Sequence, residues 1–180
     1  MKLILIGIQG AGKSTQGNFL VEKYKIPYLS SGHIFRDMAR EKTRIGRWLK
    51  ETINSGALVP DDKTLEIILT YLEKPEYSSG YILDGFPRTV VQAEAFNGGV
   101  DKVVFLEVSD KEALWRLAGR PSDRGDETIH AIKKRIDLFH IFTEPVIQFY
   151  KKEGKLIVVD GEKSIDDVFK DICKELDKLK

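Results

Sequence analysis

Cysteine is almost absent from this chain. Its 180 residues hold one, Cys173, so neither an internal disulfide nor a cysteine-built zinc site can form. In SIDDVFKDICKEL that cysteine falls on an apolar helix face marked by Ile165, Val168, Phe169, Ile172 and Leu176, where a small core residue is expected rather than a reactive thiol. Long hydrophobic runs are lacking too. The apolar stretch of MKLILIGIQG is too short for a signal segment, and no window approaches the ~18 apolar residues that span a bilayer. A cytosolic protein with no membrane partner is expected. Charge of one sign is also missing: Lys and Arg number 29 against 28 Asp and Glu, a net charge of +1. That balance argues against a general nucleic-acid binder. Repeats and low-complexity segments are not found.

What is present is ordinary in bulk and specific in detail. Hydrophobic residues make up 42% and charged residues 32%, enough for one sizeable core with small inserted lobes. Five short apolar runs recur: KLILIG at 2–7, IPYLS at 26–30, YILD at 81–84, KVVFLEV at 102–108 and KLIVVD at 155–160. Amphipathic stretches of helical period separate them. Strands apolar at consecutive positions and alternating with helices imply a parallel sheet covered on both faces, a doubly wound α/β domain of about five strands. Two regions interrupt the alternation. Residues 30–60 carry two helical patterns, around HIFRDMARE and IGRWLKETINSG, before Pro60-Asp61-Asp62 opens another helix. GRPSDRGD at 119–126 is rich in turn formers and charge. It leads into a long helical pattern through Ile132, Ile136, Phe139, Thr143, Val146 and Phe149, which Pro145 is expected to kink or end.

GIQGAGKS at 7–14 fits G-x-x-x-x-G-K-[ST] in full, after a strand and before a helix. Gly7, Gly10 and Gly12 let the loop turn its N–H groups inward around an anion, and the helix N-terminus adds partial positive charge. Lys13 is placed to reach β- and γ-phosphates and the Ser14 hydroxyl to reach Mg²⁺. Asp84 ends a buried run, where a P-loop protein keeps its Mg²⁺-organising carboxylate, directly or through water; the competing role is a helix cap for the segment after Pro87. Arg36, Arg88, Arg116, Arg120, Arg124 and Arg135 lie in the insertions and at strand ends rather than along one solvated face. Guanidinium forks suit bidentate phosphate contacts and the spread charge of phosphoryl transfer. Spacing alone leaves the acceptor open.

GIQGAGKSTQ, LSSGHIFR, LDGFPRT with Gln92, RLAGR and KKRIDLFHIFTEPVIQFY stand in an order that resembles the adenylate kinases of the nucleoside monophosphate kinase family over nearly the whole chain. DGFPRT is the most specific of these blocks. The resemblance implies transfer of the γ-phosphoryl of MgATP to AMP, reversibly giving two ADP, by a monomer with Mg²⁺ and no zinc. It implies a core of residues 1–29, 61–118 and 136–180, an AMP-binding insertion at 30–60 and a short lid at 119–135. Gly10, Ala11, Gly12, Lys13, Ser14 and Thr15 would hold the ATP phosphates, with Arg116 beside its adenine. Arg36 and Arg88 would grip the AMP phosphate; Ser31, Val59 and the Gly85 backbone would line its pocket; Gln92 would recognise its base through an amide that donates and accepts at once. Lys13, Arg88, Arg120, Arg124 and Arg135 would act on the transferring group, Arg120 from the ATP side and Arg124 and Arg135 from the AMP side. The Phe86–Pro87 bond is expected to be cis. A UMP or CMP kinase usually carries Asn in place of Thr89 and of Gln92, and a GTP switch carries [NT]-K-x-D, which this chain lacks. A plain ATPase or a regulatory nucleotide-binding module remains as a different class.

Three features depart from the family pattern. His33 stands where an acid usually helps to order water around Mg²⁺, and a histidine is able to carry positive charge near neutral pH. Lys-Ser-Thr replaces the usual Lys-Gly-Thr of the loop. Only Pro121-Ser122-Asp123 separates Arg120 from Arg124, which leaves no room for a long lid. A small lid shields the site less from water. Measurable ATP hydrolysis without AMP is therefore expected, and a rate equal to the buffer background would refute it.

Overall fold

Side chains alternate across a strand, and along KLILI that alternation feeds two separate cores. Leu3 and Leu5 pack in one layer with Ile82, Val104 and Leu106; Ile4 and Ile6 pack in the other with Leu29, Leu83 and Val103. Neither face of the strand meets water, which is why the run is apolar at consecutive positions. Burying each such leucine or isoleucine contributes about 2 kcal/mol. The computed structural model describes residues 1–96, 98–119 and 128–179. It places all five apolar runs as strands: β1 (Lys2–Ile6), β2 (Tyr28–Ser30), β3 (Tyr81–Asp84), β4 (Lys102–Glu107) and β5 (Leu156–Asp160). They form one parallel sheet in the order β2-β3-β1-β4-β5.

Helices cover both faces. On the Leu3 side lie α1 (Lys13–Tyr24) and α9 (Ile165–Leu176), contributing Leu20, Val168, Ile172, Cys173 and Leu176. Cys173 is a buried core residue, as its place in the pattern predicts. Ile165 departs from that pattern: it is 56% exposed, because it begins the helix at the rim of a cavity rather than over the core. On the Ile4 side lie α2 (Ser31–Arg40), α3 (Arg44–Asn54), α4 (Asp61–Leu72) and α5 (Val90–Ala95). Ser30 and Thr43 cap α2 and α3 by accepting from the amides of His33 and Gly46. Thr89 caps α5 by accepting from the Gln92 amide, so Asp84 is not used as a cap. Among the described residues, no helix is long and apolar enough to cross a membrane.

After α6 (Asp110–Ala118) the expected long helix arrives in three pieces: α7 (Ile129–Leu138), a π-helical turn at Phe139–Thr143, and α8 (Glu144–Lys152). Pro145 sits in the first turn of α8 and has no N–H to close an α-helical turn onto the preceding carbonyls. The widened turn accommodates that missing donor. It also aims two side chains. Thr143, buried, donates from Oγ1 to the Arg88 carbonyl at 3.0 Å. His140 lies between two helix starts, with Nδ1 2.6 Å from Glu144 Oε1 and Nε2 2.9 Å from Asp110 Oδ1.

The hydrogen bond with Glu144, followed by that with Asp110, raises the His140 pKa above its ordinary value against the opposing effect of burial. The folded state therefore favours the imidazolium. Its contribution is whole below the ordinary value near pH 6.5 and is lost as pH rises through the elevated folded value. Both carboxylates are about half exposed, so screening keeps the effect small. His140→Gln is expected to lower the melting temperature by about 2 °C or less at pH 6 and not at pH 9; an equal change at both pH values would refute the pairing.

Candidate active site

The loop from Gly7 to Gly12 links β1 to α1 and turns through two left-handed residues, Gly10 at φ +95° and Gly12 at φ +89°. Side chains rarely adopt that backbone, and at Gly10 a Cβ would also lie 2.7 Å from the Ala113 carbonyl oxygen. Helix α1 then begins with no side-chain cap and no acidic residue in its first turn. A helix start without a side-chain cap or acid suits an anion, which the helix end favours. Lys13 lies along the loop, its Nζ donating to the carbonyls of Gly7 at 2.7 Å and Ile8 at 3.0 Å.

Parallel pairing sets the next group beside this loop. Leu5 of β1 stands opposite Asp84 of β3, so the acid at the end of one strand adjoins the start of the loop on the other. Asp84 is buried. Its Oδ2 accepts from the Tyr28 hydroxyl at 2.7 Å, while its Oδ1 has no hydrogen-bond partner among the described residues. An acceptor left this way costs about 1–3 kcal/mol or more, and a cation or its bound water is what would satisfy it. Tyr28 reaches Asp84 because Gly17 on α1 leaves the space; a Cβ there would collide with the tyrosine ring. Asp84, with the Ser14 hydroxyl in the same cavity, is a donor set of hard oxygens that fits Mg²⁺.

The arginines converge on the same place. Arg88 follows the cis Phe86–Pro87 bond and donates from Nε to the Gly85 carbonyl at 2.8 Å. Burial pulls its pKa below the ordinary value; Asp84 opposes that, and the nearby charges of Arg135 and Arg36 add to it. The group stays protonated, since an arginine begins far above neutral pH. Like charges drawn together under partial desolvation are relieved by an anion between them. Arg135 on α7 donates from Nη2 to the Ile53 carbonyl at 2.9 Å and from Nη1 to Gln9 Oε1 at 3.4 Å, tying α3 to the glycine loop. Arg116 is held by Glu112 Oε1 at 2.7 Å from Nε and the Gly161 carbonyl at 3.0 Å from Nη2. Arg120 and Arg124 lie outside the described residues.

One cavity of about 610 Å³ joins these parts. The loop residues Gly10 to Thr15 line it, as do Arg36, Val59, Asp84, Gly85, Arg88, Gln92, Arg116 and Arg135. His33 is exposed on the same cavity. Ser31 is the exception among the expected pocket residues. It is buried behind the wall, its Oγ donating to the Gly85 carbonyl at 2.8 Å, so it acts on the pocket through Gly85. Sequence reasoning missed Gly17, Tyr28 and Asp61, whose Oδ1 accepts from Thr89 Oγ1 at 3.0 Å and from Gln92 Nε2 at 2.7 Å. Tyr28 offered a faint signal, a phenol hydroxyl beside the apolar residues Ile26, Pro27 and Leu29. Gly17 in a helix interior offered another.

Comparison with known proteins agrees with this geometry. The family profile described as "Adenylate kinase" matches residues 5–155. An adenylate kinase of Clostridium botulinum (strain Eklund 17B) is 37% identical, covering 98% of this chain and 99% of its own. Those of Caldicellulosiruptor bescii and Acetivibrio thermocellus are 35% and 34% identical, over 98% and 100% of this chain and 99% and 100% of theirs. The alignment to the clostridial enzyme runs over 212 positions against 180 residues here, so that relative carries segments this chain lacks. A glycine loop on β1, an acid ending β3 and a cluster of arginines around one cavity are thus the features of a chain that belongs to the adenylate kinase family.

Proposed function

We propose that this chain transfers the γ-phosphoryl of MgATP to AMP, reversibly giving two ADP, within the cavity between the glycine loop and Arg88. The observation that carries this is the convergence of two anion sites on Asp84: the loop with Lys13 on one side, and Arg88 with Arg36 and Arg135 on the other. A single-phosphate switch or a plain ATPase has no use for the second site. Residues 1–29, 61–118 and 136–180 serve as the core, 30–60 as the AMP-binding insertion and 119–135 as a short lid that brings Arg120 and Arg124.

Gly10, Ala11, Gly12, Lys13, Ser14 and Thr15 hold the donor phosphates, with Arg116 beside the donor base. Lys13 leaves the Gly7 and Ile8 carbonyls for the phosphates, exchanging neutral acceptors for charged ones. Arg36 and Arg88 fix the acceptor phosphate. Arg135 is preset by Gln9 and Ile53 to face the transferring group. No general base is needed, because the attacking phosphate oxygen is already anionic near pH 7; the work is alignment and charge stabilisation. Ser14 and Asp84 hold the Mg²⁺ that accompanies ATP, directly or through water. When bound, that ion neutralises charge developing on the phosphate oxygens. Val59 and Gly85, backed by Ser31, shape the acceptor pocket, and Gln92 meets the base. The protein works as a monomer in the cytoplasm.

ADP formation from MgATP, measured with AMP, GMP, UMP and CMP in turn beside an ATP-only control, tests this directly. Two ADP per AMP consumed above a slow ATP-only background, with the other acceptors slow, is the expected result. Equal activity with UMP or CMP would overturn the acceptor, and ADP formation as fast in the ATP-only control as with AMP would overturn the kinase. His33→Asp is expected to lower the Mg²⁺ concentration for half-maximal rate, by restoring a carboxylate that orders metal-bound water; an unchanged Mg²⁺ titration would show that His33 has no part in the metal arrangement.

A further inference from the structure

The amide of Gln92 has a fixed orientation, and Asp61 fixes it. Gln92 is 2% exposed and lines the cavity. Its Oε1 accepts from the Arg88 backbone amide at 2.8 Å, and its Nε2 donates to Asp61 Oδ1 at 2.7 Å. Turning the amide over would set oxygen against a carboxylate and nitrogen against an N–H, two repulsions in place of two bonds. Asp61 is itself oriented, since the same Oδ1 accepts from Thr89 Oγ1 at 3.0 Å while that hydroxyl accepts from the Gln92 backbone amide at 3.1 Å. A carboxylate can only accept, so the donor direction in this network is set from Asp61 outward.

We propose that Asp61 is a specificity-determining positioning residue, which makes the cavity select a purine bearing a 6-amino group over one bearing a 6-oxo group. This rests on the acceptor reading above and adds the reason for base selectivity. With one N–H and one lone pair already used, Gln92 keeps one donor hydrogen on Nε2 and one acceptor position on Oε1, and their sides cannot be exchanged. Adenine presents an amino donor at position 6 beside ring-nitrogen acceptors; hypoxanthine presents a carbonyl acceptor there instead. An amide free to turn over serves either base. An amide locked by an acid on one side and a backbone N–H on the other serves one, because the wrong base leaves buried polar groups facing like partners.

The test uses the full chain and compares kcat/KM for AMP with that for IMP, which differs from AMP only in its 6-oxo group and the N1–H that accompanies it, so both donor and acceptor are exchanged. Asp61→Ala, and Asp61→Ser whose hydroxyl is too short to reach Gln92, are expected to lower the AMP-to-IMP ratio by about tenfold. The loss falls on KM for AMP, with kcat changed by no more than about twofold. Asp61→Asn keeps an acceptor oxygen and is expected to keep the ratio. A merely structural role would lower activity with both nucleotides and leave the ratio alone, so an unchanged ratio in the folded Ala or Ser variant overturns the proposal. So does a ratio that collapses equally in the Asn variant, since charge rather than acceptor direction would then be the cause. A parent that selects AMP while the variants keep its ratio defeats the Asp61 role only; a parent that uses AMP and IMP alike defeats the acceptor reading as well.

Discussion

Parallel pairing of β1 with β3, Leu5 opposite Asp84, is the constraint on which the rest of the site depends. Strands in this sheet leave β1 toward β3 on one side and toward β4 on the other. Connections therefore part at the carboxyl end of β1, and a crevice opens there. The glycine loop occupies that crevice because it continues β1, and Asp84 adjoins it because it ends β3. A shift of register by one residue would turn Asp84 to the other face and place an apolar side chain beside the loop. Leu3, Leu5 and Ile82 in one core and Ile4 and Leu83 in the other prevent that shift.

The site is assembled from polar groups that the fold leaves incompletely satisfied. Among the described residues Asp84 Oδ1 is buried without a partner, the first turn of α1 has neither a side-chain cap nor an acid, and Arg135 and Arg36 add positive charge beside Arg88. Each deficit costs stability in the protein alone, and a ligand of opposite charge would relieve it. The surrounding core offsets that cost. Tyr28, admitted by Gly17, holds one oxygen of Asp84, and Thr143, aimed by the π-helical turn, holds the Arg88 carbonyl. Charged groups poised in this way need little rearrangement when phosphate arrives.

The residues around Gln92 follow a different rule, since each polar side chain there has at least one partner within the protein. Asp61, Thr89, Gln92 and the Arg88 amide close a network in which every hydrogen has one direction. Asp61 begins α4, just past Val59 in the cavity wall, so the network joins the edge of the helical insertion to the segment that carries Arg88. The Arg88 backbone thus belongs to the Asp61–Gln92 network, while its side chain bonds to Gly85 and stands near the charges of Asp84, Arg135 and Arg36.

The sequence by itself determined the elements and the chemistry of the loop. Strands buried on both faces are apolar at every position, so their runs stand out, and GIQGAGKS encodes its own backbone through glycines at Gly10 and Gly12. DGFPRT likewise placed an acid and an arginine a few residues apart on one strand end. Such signals are local, and local sequence carries them whole. What the tertiary structure alone decided are pairings between residues far apart along the chain. Tyr28 meets Asp84 across 56 residues, Gln92 meets Asp61 across 31, and Arg135 reaches Ile53 across 82. Each of these side chains has many partners open to it in an extended chain. Only the seating of α1, α3, α4 and α7 on the sheet selects one, because hydrogen bonds extend about 3 Å and are set by where the backbones already stand.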